Sequence, residues 1–154
     1  MKSMKTSKDS FRIDIVLRHA THTPESISAA LSLKPEASWP AGESLGKFRA
    51  KWSFFYGRLL EGSVPSDYER ALKTVSRFLR KNAFFLADFA GRNGEAELIL
   101  NHAVSQQDEK GDELFELFLT PAFLRDLSAG NIGLRVQGWQ SWSKKAGQRK
   151  RPVA

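Results

Sequence analysis

The chain has no cysteine. That excludes a disulfide framework, thiolate metal ligands and a cysteine nucleophile. Long apolar runs are missing too, since nothing approaches the roughly 20 residues that a membrane-crossing helix needs. The opening stretch MKSMKTSKDS is charged and polar, and the apolar segment after it is too short and alternating for a signal peptide. A cytoplasmic location with no membrane partner is the expectation. Neither a Gly-x-Ser-x-Gly elbow, a Walker loop nor a Gly-x-Gly-x-x-Gly turn after a strand occurs. Repeats of fixed period and low-complexity core segments are also lacking. No catalytic residue, cofactor or metal is assigned from the sequence, and the reading leans away from an enzyme.

The positive charge is abundant but sits at the ends. The net charge is +7 with a pI near 9.9. Residues 1–10 hold three lysines against Asp9, and residues 144–154 hold Lys144, Lys145, Arg149, Lys150 and Arg151. The segment between them has 16 basic and 16 acidic side chains and is neutral. Three parts are expected: a basic tail at 1–10, one domain at 11–142, and a basic tail at 143–154 without fixed structure. Nucleic acid would be held weakly, through the C-terminal tail alone, with a steep salt dependence.

The 154 residues suffice for one domain with its own core. Phe11, Ile13, Ile15 and Leu17 alternate with Arg12, Asp14, Val16 and Arg18, the period of a strand with one buried face. Thr23-Pro24-Glu25 reads as a capped helix start, and Lys34-Pro35 as its stop. Residues 34–50, punctuated by Pro35, Pro40, Gly42 and Gly46, are expected to be a loop. Trp39 is anomalous there, because an indole in a loop usually packs down as an anchor. A second strand spans residues 51–61, with Trp52, Phe54 and Tyr56 sharing a face. Two helices follow, the first carrying Tyr68, Leu72, Val75 and Leu79 inward and Arg70, Lys73, Arg77 and Lys81 to water. Residues 96–104 and 114–119 are expected to form a hairpin, ahead of a short helix at 121–127 and a last strand at 132–139. The order β-α-β-α-α-β-β-α-β predicts an α+β two-layer sandwich: a mostly antiparallel sheet of about five strands with helices packed on one face.

The segment Leu31-Ser32-Leu33-Lys34-Pro35-Glu36-Ala37-Ser38-Trp39-Pro40-Ala41-Gly42-Glu43 resembles the leucine, x, proline, …, tryptophan, x, x, glycine loop of the bacterial domain-of-unknown-function family 4279. The strand beginning at Trp52 and the later helices follow in similar order, over about residues 11–140. The resemblance implies the fold and no catalytic residues, and by analogy an immunity or accessory role.

Some groups suggest chemistry. His19 and His22 could share a metal with Asp14 or Glu25 and serve a small hydrolase, but a zinc site needs three well-placed ligands, and imidazoles in a polar turn explain the pair as well. His102 reads as a buried, hydrogen-bonded histidine. Asp108, Glu109, Asp112 and Glu113 lack the spacing of a calcium loop. The stronger candidate is the sheet face turned away from the helices. It is expected to present Arg12, Asp14 and Arg18, then Arg135 and Trp139, with Trp52, Tyr56 and Arg58 beside them and Trp39 over one edge. Arginine mixed with Trp and Tyr is the composition of protein-binding hot spots and polar ligand clefts. The alternative is half-buried packing aromatics with arginines paired across strands. The expected function is a binding or regulatory module for an unknown protein or small ligand, and an uncovered face would also suit a symmetric homodimer.

Overall fold

The computed structural model describes residues 10–63, 68–104 and 118–140. The first strand, β1 (Ser10–His19), is the centre of the sheet. Its alternation places Phe11, Ile13, Ile15 and Leu17 in the core, with Ile13, Ile15 and Leu17 fully buried. Helix α1 (Pro24–Leu31) follows, capped where the sequence predicts: the Thr23 hydroxyl oxygen accepts from the Ser26 N–H at 3.2 Å, and Pro24 opens the first turn.

Residues 34–50 are not the expected loop. Pro35–Trp39 form an edge strand, β2, and Ser44–Leu45 (β3) pairs with Phe48–Arg49 (β4) in a two-residue ribbon. Glycines at φ +89° (Gly42) and +64° (Gly46) supply the left-handed turns that the ribbon requires. Strand β5 (Ser53–Ser63) lies between β2 and β1 and pairs antiparallel with both. Proline is tolerated at the start of β2 because an edge strand has one side free of ladder bonds. The register of β1 against β5 passes from Ile13↔Leu60 to Asp14↔Arg58, so Leu59 is the extra residue of a bulge.

Helices α2 (Tyr68–Lys81) and α3 (Ala83–Gly91) are joined at Asn82, whose side-chain amide donates to the Phe78 carbonyl at 2.9 Å. Strand β6 (Glu95–Val104) then runs antiparallel to β1. Helix α4 (Pro121–Ala129), capped by Thr120, leads into β7 (Gly133–Gln140), which lies parallel to β6. The five-stranded sheet has the order β2-β5-β1-β6-β7 and is antiparallel at every pairing but the last. Strand β6, where a hairpin between 96–104 and 114–119 is expected, is flanked by β1 on one edge and β7 on the other. Residues 105–117 of that expectation lie outside the described residues, as do the two basic tails apart from Ser10.

The four helices share one core with one face of the sheet. Ile27, Leu31, Leu72, Val75, Leu79, Leu86, Phe89, Phe123 and Leu127 meet Phe55, Leu98, Leu100 and the odd-numbered residues of β1. Each such side chain stabilises by about 1.5–3 kcal/mol on leaving water, so this layer dominates the folding energy. It also leaves the opposite face of the sheet as the surface that carries polar chemistry. Among the described residues no helix is long and apolar enough to cross a membrane.

Candidate functional site

Strand register defines the face away from the helices. Arg12, Asp14, Val16 and Arg18 of β1 stand opposite Glu61, Arg58, Tyr56 and Phe54 of β5. On the other flank they stand opposite Asn101, Ile99, Glu97 and Glu95 of β6. Arg135 and Gln137 of β7 are in register with Ile99 and Asn101, and Trp39 of β2 with Phe54. Arg12, Asp14, Arg18, Trp39 and Arg135 therefore come together on one face as the sequence predicts. Trp52 does not join a strand. It sits exposed in the bend ahead of β5. Trp139 is on β7 in register with Ala103, and its side chain lies outside the described residues.

The face has a closed centre. Asp14 is 0% exposed, although it is a carboxylate on the side away from the core. Its Oδ2 accepts from Arg12 Nε at 2.8 Å, from Asn101 Nδ2 at 2.8 Å and from the Tyr56 hydroxyl. Arg12 Nη2 also donates to the Tyr56 oxygen at 2.9 Å, which closes a ring of charge-assisted bonds. A buried charge persists only when so paired, because desolvating it alone costs several kcal/mol. Oδ1 of Asp14 is buried without a hydrogen-bond donor, so one oxygen carries the whole network. Burial by itself would lower the Arg12 pKa, but the bond to Asp14 and its charge outweigh burial and raise it. The Tyr56 pKa is raised by burial and then by Asp14, whose charge and hydrogen bond both favour the protonated phenol.

Toward the β2 edge the face changes character. The Trp39 and Phe54 rings stack at 4.2 Å between centroids with 16° between planes, and the Arg18 guanidinium carbon lies 5.7 Å from the Phe54 centroid. Arg18 has only a loose ion pair, 3.8 Å from Glu95, and its side chain is 42% exposed. Indole, phenyl and guanidinium thus form an amphipathic shelf with a cation free to turn toward solvent. Toward the β7 edge, Arg135 Nε is held 2.6 Å from Glu97 Oε1. Arg12 and Arg135 are held by carboxylates at hydrogen-bond distance, whereas the carboxylate partner of Arg18 is more distant. Arg18 retains most freedom.

The histidines belong to the other side. His19 is buried against Phe89 of α3, and it differs from Asp14 in strand parity, so the two project to opposite faces. His19 Nδ1 accepts the backbone N–H groups of Thr21 and His22, both at 3.0 Å, which commits the lone pair a metal would need. The His22 ring meets His19 edge-on at 4.4 Å and packs against Phe85 and Phe89. Burial, then the neighbouring His22, lowers the His19 pKa; the Arg92 backbone opposes this without a well-formed bond to Nε2. Gly94 permits this packing, since a Cβ there would lie 2.3 Å from the Phe89 carbonyl oxygen and 2.7 Å from His19 Cδ2. His102, in register with Phe11, is buried on the helix side. Among the described residues, no group of three His, Cys, Asp or Glu could hold a metal ion. The acidic residues 108–113 lie outside the described residues.

Asn101 is the member of the polar centre that sequence reading missed. Its signal was a polar residue in an apolar strand, in register with Arg12 only once β6 is paired with β1. Phe54 was placed on the face but not recognised as the platform under Trp39. Comparison with known proteins found no family model, no curated protein and no solved structure that matches the chain.

Proposed function

We propose that the protein is a non-enzymatic binding or regulatory module that engages a protein or small ligand through the sheet face away from its helices. The observation that carries this reading is the shelf of Trp39, Phe54 and Arg18. Two stacked aromatic rings under a half-exposed guanidinium offer an apolar platform and a charge-assisted donor at one place. Such a shelf suits a partner that presents a flat apolar group beside a carboxylate or phosphate. The Arg12–Asp14–Tyr56–Asn101 ring serves as the rigid floor that fixes β1 and β5 beneath it. The resemblance to the domain-of-unknown-function family rests on residues 31–43 and contributes no function. The immunity or accessory role, the cytoplasmic location and the symmetric pairing of this face are further parts of the proposal. A light-scattering mass of one chain at micromolar concentration would remove the last.

A hydrolase built on His19, His22 and Asp14 is disfavoured by the opposed faces of Asp14 and His19. Affinity capture from lysate of the source cell tests the binding reading, with wild type compared against Arg18→Glu/Trp39→Ala and a chain lacking residues 144–154. The reading expects a species retained by wild type and the truncated chain and lost from the double variant, with thermal melts showing both variants folded. Retention that depends on residues 144–154 alone would show association through the basic tail and overturn it.

A further inference from the structure

A second surface lies in the helix layer, remote from the sheet face. Helices α2 and α4 enclose a groove of about 970 Å³. Its floor is core: Leu72 and Phe123 are buried there. Phe118, 75% exposed, forms an apolar wall just ahead of α4. The lining stripe runs along α2 from Tyr68 to Arg80, twelve helical rises or about 18 Å. That length exceeds a compact anion and matches about three turns of a helical peptide.

The rim is cationic. Lys73 and Arg80 line the groove with carboxylate neighbours, Glu69 at 3.1 Å and Asp126 at 3.7 Å. Arg77 from α2 and Arg125 from α4 line it as well, and neither has an ion pair among the described residues. Both are exposed. Two unpaired guanidiniums beside an apolar floor in an otherwise neutral domain give the groove a defined complement. We infer that the groove docks an acidic amphipathic peptide segment of a partner protein, its apolar stripe on Leu72, Phe118 and Phe123 and its carboxylates against Arg77 and Arg125. This is the helix-in-groove mode of recognition, with charge choosing the partner.

The probe is a fluorescein-labelled 14-residue peptide with leucines on one helical face and glutamates on the other, read by anisotropy against the full chain. A counterpart with lysine for every glutamate shares its apolar stripe. The groove predicts at least ten-fold tighter binding of the glutamate peptide. Arg77→Glu/Arg125→Glu should abolish that preference. The charge-matched control Arg49→Glu/Lys51→Glu, on the β3–β4 ribbon and its flank, should leave it within about two-fold, which separates the groove from net charge and from the tails. If the groove variant melts early, Arg77→Gln/Arg125→Gln replaces it, with the preference expected to fall at least five-fold. Equal affinity for the two peptides, or a preference unchanged in the groove variant, would overturn the inference. Binding of inorganic triphosphate at the two arginines with neither peptide bound would also overturn it, by identifying a small polyanion site.

Discussion

Replacing Asp14 by alanine removes the acceptor of three donors at once. Arg12 and Tyr56 are part-exposed and can turn to water, but the Asn101 amide is left enclosed. An enclosed donor without a partner costs about 1–3 kcal/mol. The loss of the charge-assisted bonds from Arg12 and Tyr56 brings the total to about 3–5 kcal/mol, the range for breaking a buried ion pair. For a chain of this size that corresponds to a fall in Tm of roughly 6–20 °C. Asp14→Asn provides the internal control. Its amide oxygen can take the place of Oδ2 and keep the three bonds, while its NH2 stands where an oxygen is buried without a partner and so adds an enclosed donor. Bonds to a neutral acceptor are weaker by about 1 kcal/mol in net terms, and the enclosed NH2 adds a cost of about 1–3 kcal/mol. Urea unfolding at pH 7, followed by the fluorescence of the chain's four tryptophans, measures both. An alanine variant within about 1 kcal/mol of wild type would refute the claim that the centre is enclosed.

Three further outcomes follow from the same geometry. The lowered His19 pKa means the unfolded chain takes a proton before the folded one, so stability present above pH 6.5 is lost as pH falls through the folded pKa. Urea midpoints measured from pH 7.5 to 5 should fall, and His19→Gln should flatten that slope. Burial pushes the Tyr68 phenol up to about 12, so its contribution is complete below pH 10 and fades between 10 and 12. Tyr68→Phe should blunt alkaline unfolding in that window. Gly94→Ala forces a methyl toward the Phe89 carbonyl and His19, and should cost about 1–3 kcal/mol by urea melt, more than alanine at the open Gly91.

Much of the architecture was legible locally. The alternation of Phe11 to Arg18 placed Arg12, Asp14 and Arg18 on one face, and Thr23-Pro24 marked the start of α1. Strand β2 was not legible, because Pro35 reads as a stop and Pro40, Gly42 and Gly46 read as loop. Pairing with β5 makes it a strand, and that pairing also explains Trp39, whose ring needed Phe54 as its platform. The burial of Asp14 was equally hidden, since its partners Tyr56 and Asn101 are 42 and 87 residues away. Arg135 read as a free ligand-binding cation, and its partner Glu97 became visible only through the parallel pairing of β6 and β7. The arginines of α2 read as a solvated stripe until α4 was seen to face them across the groove.

The central claim is that the face bearing Trp39, Phe54 and Arg18 is the surface the protein binds with. Hydrogen exchange by mass spectrometry, with and without the captured partner at saturating concentration, tests it most directly. The account predicts slowed exchange in β2 and in the N-terminal half of β5, at peptides covering residues 35–39 and 53–58. Slowing confined to α2, α4 or the C-terminal residues 144–154, with β2 unchanged, would contradict it.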